Sequence, residues 1–172
     1  AKTSVEESFE KPKKYYKINF VGTKAVTAFV KKFKIKKVIF SASASCYGNA
    51  RKLPIDEKSV IKPQNPYAVS KLKAENYLNK NSKNKFVLIS FRLFNIFGPY
   101  TNKNSPYSSV ITNFLNLSKR DLPLTINGDG YQTRDFLHIS DLCDCFYKSA
   151  LRTKKNNIYN LGSGKRLSII KL

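Results

Sequence analysis

The chain has 172 residues, with 32 Lys+Arg against 11 Asp+Glu and a formal net charge of +21. An apolar content of 41% is enough for one compact domain and excludes a disordered tail. No apolar run is long enough to span a bilayer, and no charged-then-apolar signal segment opens the chain. Such a charge attracts polyanions. However, Lys is spread along the whole chain, and no arginine-rich or aromatic-interleaved stripe marks a nucleic-acid surface. The excess is read as compositional drift on solvated faces.

Val5 to Phe33 reads as helix, with Pro12 near a first turn and Phe20, Val21, Ala25, Phe29 and Val30 at helical spacing. Lys37 to Ser41 is a short apolar strand. Tyr47 to Pro66 is loop, and Pro66 to Asn79 is a second helix. Lys85 to Leu93 is the second clear strand, followed by a long loop from Asn95 through "GPYTNKNSPYSS". Val110 to Lys119 is helical, Leu124 to Ile126 a short strand, and "NGDGYQTRD" a turn. Phe136 to Ile139 is extended, Asp141 to Arg152 an amphipathic helix, and Ile158 to Leu161 a last strand. Helices alternating with strands at this spacing predict an α/β domain with a parallel sheet. Sites in such folds lie at the carboxyl ends of the strands, here just after Phe40 and Leu93.

"SASASCYG" follows the first strand, "PYAVSK" opens the second helix, and "RLFN" ends the second strand. Tyr67 and Lys71 stand four residues apart, so they share a helix face, and a nearby cation favours a phenolate. Cys46, Cys143 and Cys145 are odd in number and lack a framework spacing, which fits a reducing, cytoplasmic setting. The single His138 offers no cluster, so no metal site is expected.

These segments, in this order, resemble the extended short-chain dehydrogenase/reductases that act on nucleotide sugars, most closely the nucleoside-diphosphate-sugar 4-epimerases. "NFVGT", "VIFSASASCYG", "KPQNPYAVSK", "FRLFNIFGP", "NSPYSSVITNF", "INGDGYQTRDFLHISD" and "YNLGSG" carry the likeness. The resemblance implies a partial Rossmann-like, doubly wound parallel sheet. Residues 1–100 would be the later part of the NAD-binding domain, and 101–172 substrate-binding segments interleaved with returning elements. It implies Tyr67 as base, Lys71 as the cation that lowers its pKa and holds NAD, and Ser43 as the group that orients the sugar hydroxyl. Phe94 would line the nicotinamide pocket, and Asn19 would support the helix or the cofactor. Ala44, Ser45, Asn95, Ser109, Val110 and Arg134 would contact a UDP-sugar. Arg134 suits a diphosphate; its plain alternative is an ion pair with Asp135.

Related 4,6-dehydratases carry an Asp–Glu pair where this chain has Ala44 and Ser45. Epimerisation at C4 is therefore expected; the alternatives are another 4-keto reaction of the family (UDP-glucuronate decarboxylation or 4,6-dehydration), a basic nucleic-acid module, and a relic of the fold that binds a nucleotide sugar or a protein partner without catalysis. The family's Gly-rich turn does not occur in this sequence, and the chain contains no Met. At about 30 residues per βα unit, roughly 75–80 residues are expected upstream, and "LSIIKL" reads as the start of a helix that continues. The piece alone is expected to be poorly soluble and inactive. The intact protein is expected to pair as a homodimer through Lys13–Phe33 and Pro66–Asn79.

Overall fold

The computed structural model describes residues 1–50, 52–100 and 109–172, so the expected loop at 101–108 lies outside the described residues. The chain opens with α1 (Val5–Glu10), α2 (Pro12–Tyr15), a π-wound turn (Tyr16–Val21) and α3 (Gly22–Lys32). Next come β1 (Lys37–Ser43), a 3₁₀ turn (Ala44–Tyr47), α4 (Pro66–Ser82), β2 (Val87–Leu93) and β3 (Asn95–Phe97). Then follow α5 (Val110–Ser118), β4 (Thr133–Arg134), β5 (Phe136–His138), α6 (Ile139–Arg152), β6 (Asn157–Leu161) and β7 (Leu167–Ser168). Two compact units result: Ala1–Leu93 with Phe146–Asn160, and Phe94–Cys145 with Leu161–Leu172.

The single helix expected over Val5–Phe33 is broken instead. Lys11 leaves helical geometry at φ −127, ψ 52. It precedes Pro12, whose ring disfavours the α region for the residue before it. Pro12 then serves as a first-turn residue of α2, where its missing N–H costs nothing.

β1 runs to Ser43, two residues beyond the expected end, because it pairs with β2 in parallel register from Lys37↔Val87 to Ser43↔Leu93. The sheet order is β1-β2-β6. As the central strand, β2 is buried from Leu88 through Arg92. Its alternate residues serve opposite faces. Leu88 packs with Val30, Leu78 and Phe86, and with Val38 and Phe40 of β1. Phe91 stacks on Phe146 and Tyr159 at 5.2 and 5.7 Å between ring centroids. Helical residues thus cover both sides of β2, as a doubly wound sheet requires.

In the second unit, β3 runs parallel to β5, with Asn95↔Phe136 and Phe97↔His138 in register. Two expectations fail here. Leu124–Ile126 forms no strand, and Leu124 is left 48% exposed. The sequence 167–172 is not helix; Leu167–Ser168 pairs antiparallel with Thr133–Arg134. Ile169 N and Ile170 N then donate to Gln132 O and Gly130 O at 3.1 and 3.0 Å, which holds this segment as a strand and a 3₁₀ turn.

Asp135 fastens the turn after β6. Its Oδ1 accepts from Ser163 N at 2.7 Å and Ser163 Oγ at 2.8 Å, and its Oδ2 accepts from Gly164 N at 2.9 Å. A Cβ on Gly162 would lie 2.6 Å from Asp135 Oδ2, so the close approach needs glycine.

Two outcomes follow from this packing. Leu78, 1% exposed within the core cluster, should cost about 2–5 kcal/mol when changed to Ala, read by denaturant unfolding. Asp135→Ala should cost about 2–3 kcal/mol, because charge-assisted bonds to the 162–164 turn are lost. Asp135→Asn should recover part of that in the same measurement.

Candidate active site

The start of α4 is set by local chemistry. Asn65 Oδ1 accepts from Ala68 N at 2.8 Å, and Pro66 occupies the first turn. Tyr67 follows in that turn, and Lys71 lies one turn on. Lys71 is 7% exposed, and its Nζ sits 4.6 Å from the centroid of the Phe40 ring on β1. Among the described residues it has no hydrogen bond and no ion pair. Burial pulls the Lys71 ammonium down to about 8, and the Glu75 carboxylate works the other way.

Ser43 ends β1. Its Oγ hydrogen-bonds Ser45 Oγ at 2.8 Å and accepts from Ser45 N at 3.3 Å. Burial pushes the Tyr67 phenol up, and the Ser43 side chain opposes this. The structure thus brings Ser43, Tyr67 and Lys71 together at the carboxyl end of β1. The expected lowering of Tyr67 by Lys71 is not what the chain alone shows. Burial dominates, and the ammonium is held over Phe40.

Sequence reasoning missed the groups that hold these residues. Fully buried Tyr15 meets Tyr67 edge-on, with centroids 6.4 Å apart and planes at 89°. Its hydroxyl donates to Glu7 Oε2 at 3.0 Å, and burial with that bond pushes the phenol up to about 12. Tyr15 is therefore a neutral wall. Asn19, on the π-wound turn, donates through Nδ2 to Ser70 Oγ at 3.0 Å and to Lys2 O at 2.9 Å. The bond to Ser70 ties the π-wound turn to α4. One turn beyond Lys71, Glu75 binds Arg92 Nη2 at 2.7 Å, and both are buried. The spacing Tyr67, Lys71, Glu75 was the available signal, since i, i+4, i+8 is one helix face.

Ala44 and Ser45 lie in the 3₁₀ turn after Ser43, with no acidic side chain. Phe94, Asn95, Ser109, Val110 and Arg134 belong to the second unit. Phe94 N donates to Leu161 O at 3.1 Å. Asn95 Nδ2 donates to Asp135 O at 2.9 Å, which leaves its Oδ1 as the acceptor. Ser109 caps α5, its Oγ accepting from Thr112 N, and Val110 is the first helical residue. Arg134 is exposed and donates only to Thr133 O at 2.9 Å among the described residues. Its alternative ion pair with Asp135 does not form, because that carboxylate is taken up by the 163–164 turn.

Among the described residues no group of His, Cys, Asp and Glu is arranged to hold a metal ion. Among the described residues no helix is long and apolar enough to cross a membrane.

Human dTDP-D-glucose 4,6-dehydratase is 30% identical over 173 residues, covering 100% of this chain and 48% of the relative. UDP-glucose 4-epimerase of Mycoplasma pneumoniae is 33% identical over 187 residues, covering 98% of this chain and 55% of the relative. A solved UDP-N-acetylglucosamine 4-epimerase from Methanobrevibacter ruminantium M1, in complex with UDP-N-acetylmuramic acid, superposes with a TM-score of 0.94 at 32% identity. It covers 99% of this chain and 55% of that one. The chain thus spans about half the length of the relatives it matches. The profile described as "NAD dependent epimerase/dehydratase family" matches residues 1–162, and the chain belongs to that family.

Proposed function

We propose that the protein carrying this chain interconverts C4 epimers of a UDP-sugar through a 4-keto sugar. The observation that carries the reading is the gathering of Ser43, Tyr67 and Lys71 beside a turn, Ala44–Tyr47, that offers no carboxylate. Elimination of water needs an acid near the leaving hydroxyl, and this turn has none to give.

The residues present fit the family's cofactor. Lys71 is a buried cation with no ion-pair partner among the described residues, one turn from Tyr67, whose phenol meets the Ser43 side chain. That donor set suits a hydroxyl-bearing ribose, which Lys71 would hold. NAD, when bound, supplies the hydride acceptor and donor. Tyr67 takes the proton of the sugar 4-hydroxyl and returns it. Ser43 hydrogen-bonds that hydroxyl and orients it. Lys71 favours the phenolate while it keeps its charge. Arg134, which has no carboxylate partner among the described residues, would bind diphosphate oxygens, and Asn95, Ser109 and Val110 would contact the nucleotide. Self-pairing through Lys13–Phe33 and Pro66–Asn79 would accompany this reading; Val21, Phe29 and Phe33 of the first segment are exposed by 43%, 55% and 57%.

Full-length protein incubated with NAD and a panel of UDP-glucose, UDP-galactose and their N-acetyl forms should give a C4 epimer by NMR. Tyr67→Phe should slow this on the order of 10²–10⁴-fold. A 4-keto-6-deoxy product would instead assign dehydration, and a pentose formed from UDP-glucuronate added to the panel would assign decarboxylation. NAD affinity should fall as pH rises through about 8, where Lys71 loses its proton, and Lys71→Met should bind weakly at every pH; titration of bound NADH fluorescence checks both.

A further inference from the structure

Glu75 and Arg92 are 2% and 4% exposed, and nothing assigned above to the reaction uses them. Arg92 presents a fork to one carboxylate: Nη2 donates to Glu75 Oε1 at 2.7 Å and Nε donates at 3.2 Å. Ser90 Oγ donates to Glu75 Oε2 at 3.1 Å. On its other side, Arg92 Nη1 donates to the Tyr47 hydroxyl at 2.8 Å, and that hydroxyl donates to Asn160 Oδ1 at 2.7 Å. Asn160 N donates to Glu57 Oε1 at 2.6 Å, and Asn160 Nδ2 donates to Ile55 O at 3.2 Å. One guanidinium therefore ties together α4, β2, the 3₁₀ turn after Ser43, the 55–57 loop and β6.

We propose that the Glu75–Arg92 pair is a positioning element for the reaction: it fixes α4 against β2 and seats Glu75 as a counter-charge one helical turn from Lys71. This rests on the epimerase reading for its link to turnover. A bare structural brace would account for the bonds to Tyr47 and Ser90. It does not account for the carboxylate standing on the Tyr67–Lys71 face, four residues past a buried cation that has no ion pair of its own among the described residues. Glu75 is the acid that works against the burial of Lys71.

The other groups around the pair are accounted for. On α4 they are Tyr67 and Lys71. From β2 comes Arg92, and from the 3₁₀ turn come Cys46 and Tyr47, both pushed up by burial and so neutral. From α2 comes Tyr15, bonded to Glu7 of α1. Lys37 of β1 donates to Ala150 O, and Lys31 of α3 donates to Asn81 Oδ1. The π-wound turn offers Asn19 to Ser70.

The test follows Lys71 directly. Full-length, NAD-bound protein labelled with ¹³Cε-lysine is titrated by NMR, with the Lys71 signal assigned by its loss in Lys71→Met. Glu75→Gln should move the Lys71 midpoint down by about one pH unit. The alkaline limb of kcat/KM should move down with it. Glu75→Gln with Arg92→Gln removes both charges while keeping an amide pair, so it covers the case in which the single variant does not fold. It should show the same downward direction. Glu75→Asp and Arg92→Lys keep the carboxylate and should leave the midpoint in place while lowering kcat. An unmoved Lys71 midpoint in both neutral variants, with only a lower Tm, overturns the proposal. A moved midpoint with an unmoved kinetic limb overturns the link to the reaction. Absence of any sugar turnover in the unaltered protein, beside a moved midpoint, overturns the epimerase reading and supports the counter-charge.

Discussion

The contact on which most of the first unit depends is a buried ion pair. Arg92 and Glu75 lie 17 residues apart in sequence and meet at 2.7 Å with almost no exposure. Removing two charges from water is costly, and the Coulomb attraction offsets that only when geometry is good and the spare hydrogen-bonding atoms are satisfied. Both conditions hold. The fork engages both carboxylate oxygens, Ser90 takes a further lone pair, and Tyr47 takes the outer N–H. Burial works against the Arg92 charge, yet the Glu75 and Tyr47 bonds push its pKa up. A helix tied to its sheet in this way cannot slide by a residue without stranding a charge.

Lys71 is the contrast that gives the site its character. It shares the α4 face with Glu75 and is nearly as buried. Its ammonium meets an aromatic face instead of an anion. A cation–π contact returns only part of the hydration lost on burial, so burial still pulls Lys71 down to about 8. Arg92 is a charge whose bonding is complete within the chain. Lys71 is a charge whose bonding is not. That difference separates a structural cation from one available to a ligand, and burial alone does not reveal it.

Much of this was legible in the sequence, and the exceptions share a cause. The Asn65-Pro66 start of α4, the parallel strands and the shared face of Tyr67 and Lys71 follow from local signals: a cap, an apolar run, a four-residue spacing; Ser43 is singled out only by the family resemblance. Leu124–Ile126 satisfied the strand pattern but found no partner, while Leu167–Ser168 found one in a two-residue ladder with no pattern to announce it. The break at Lys11 was encoded in Pro12, but the π-wound turn that follows has no comparable marker. The Arg134–Asp135 pair was suggested by adjacency. Asp135, which lies between β4 and β5, turns its carboxylate to the backbone of the 163–164 turn instead. Tyr15 and Phe40 matter to the site only through tertiary contact with Tyr67 and Lys71, and no local spacing announces that.

The charge balance fits the same picture. In a chain with 32 basic and 11 acidic residues, several of the acids sit at junctions. Glu75 holds Arg92, Glu7 gathers Lys2, Lys14 and the Tyr15 hydroxyl, Asp135 holds the 163–164 turn, and Glu57 accepts from Asn160 N. Exposed lysines can be added with little effect on stability, because water solvates them and screening weakens their mutual repulsion. An acid that receives buried or backbone donors cannot be replaced as freely, since its removal leaves those donors without partners. A net charge of +21 is therefore compatible with this architecture. The surplus lies largely where geometry asks for nothing, while Glu7, Glu57, Glu75 and Asp135 stand where the fold requires them.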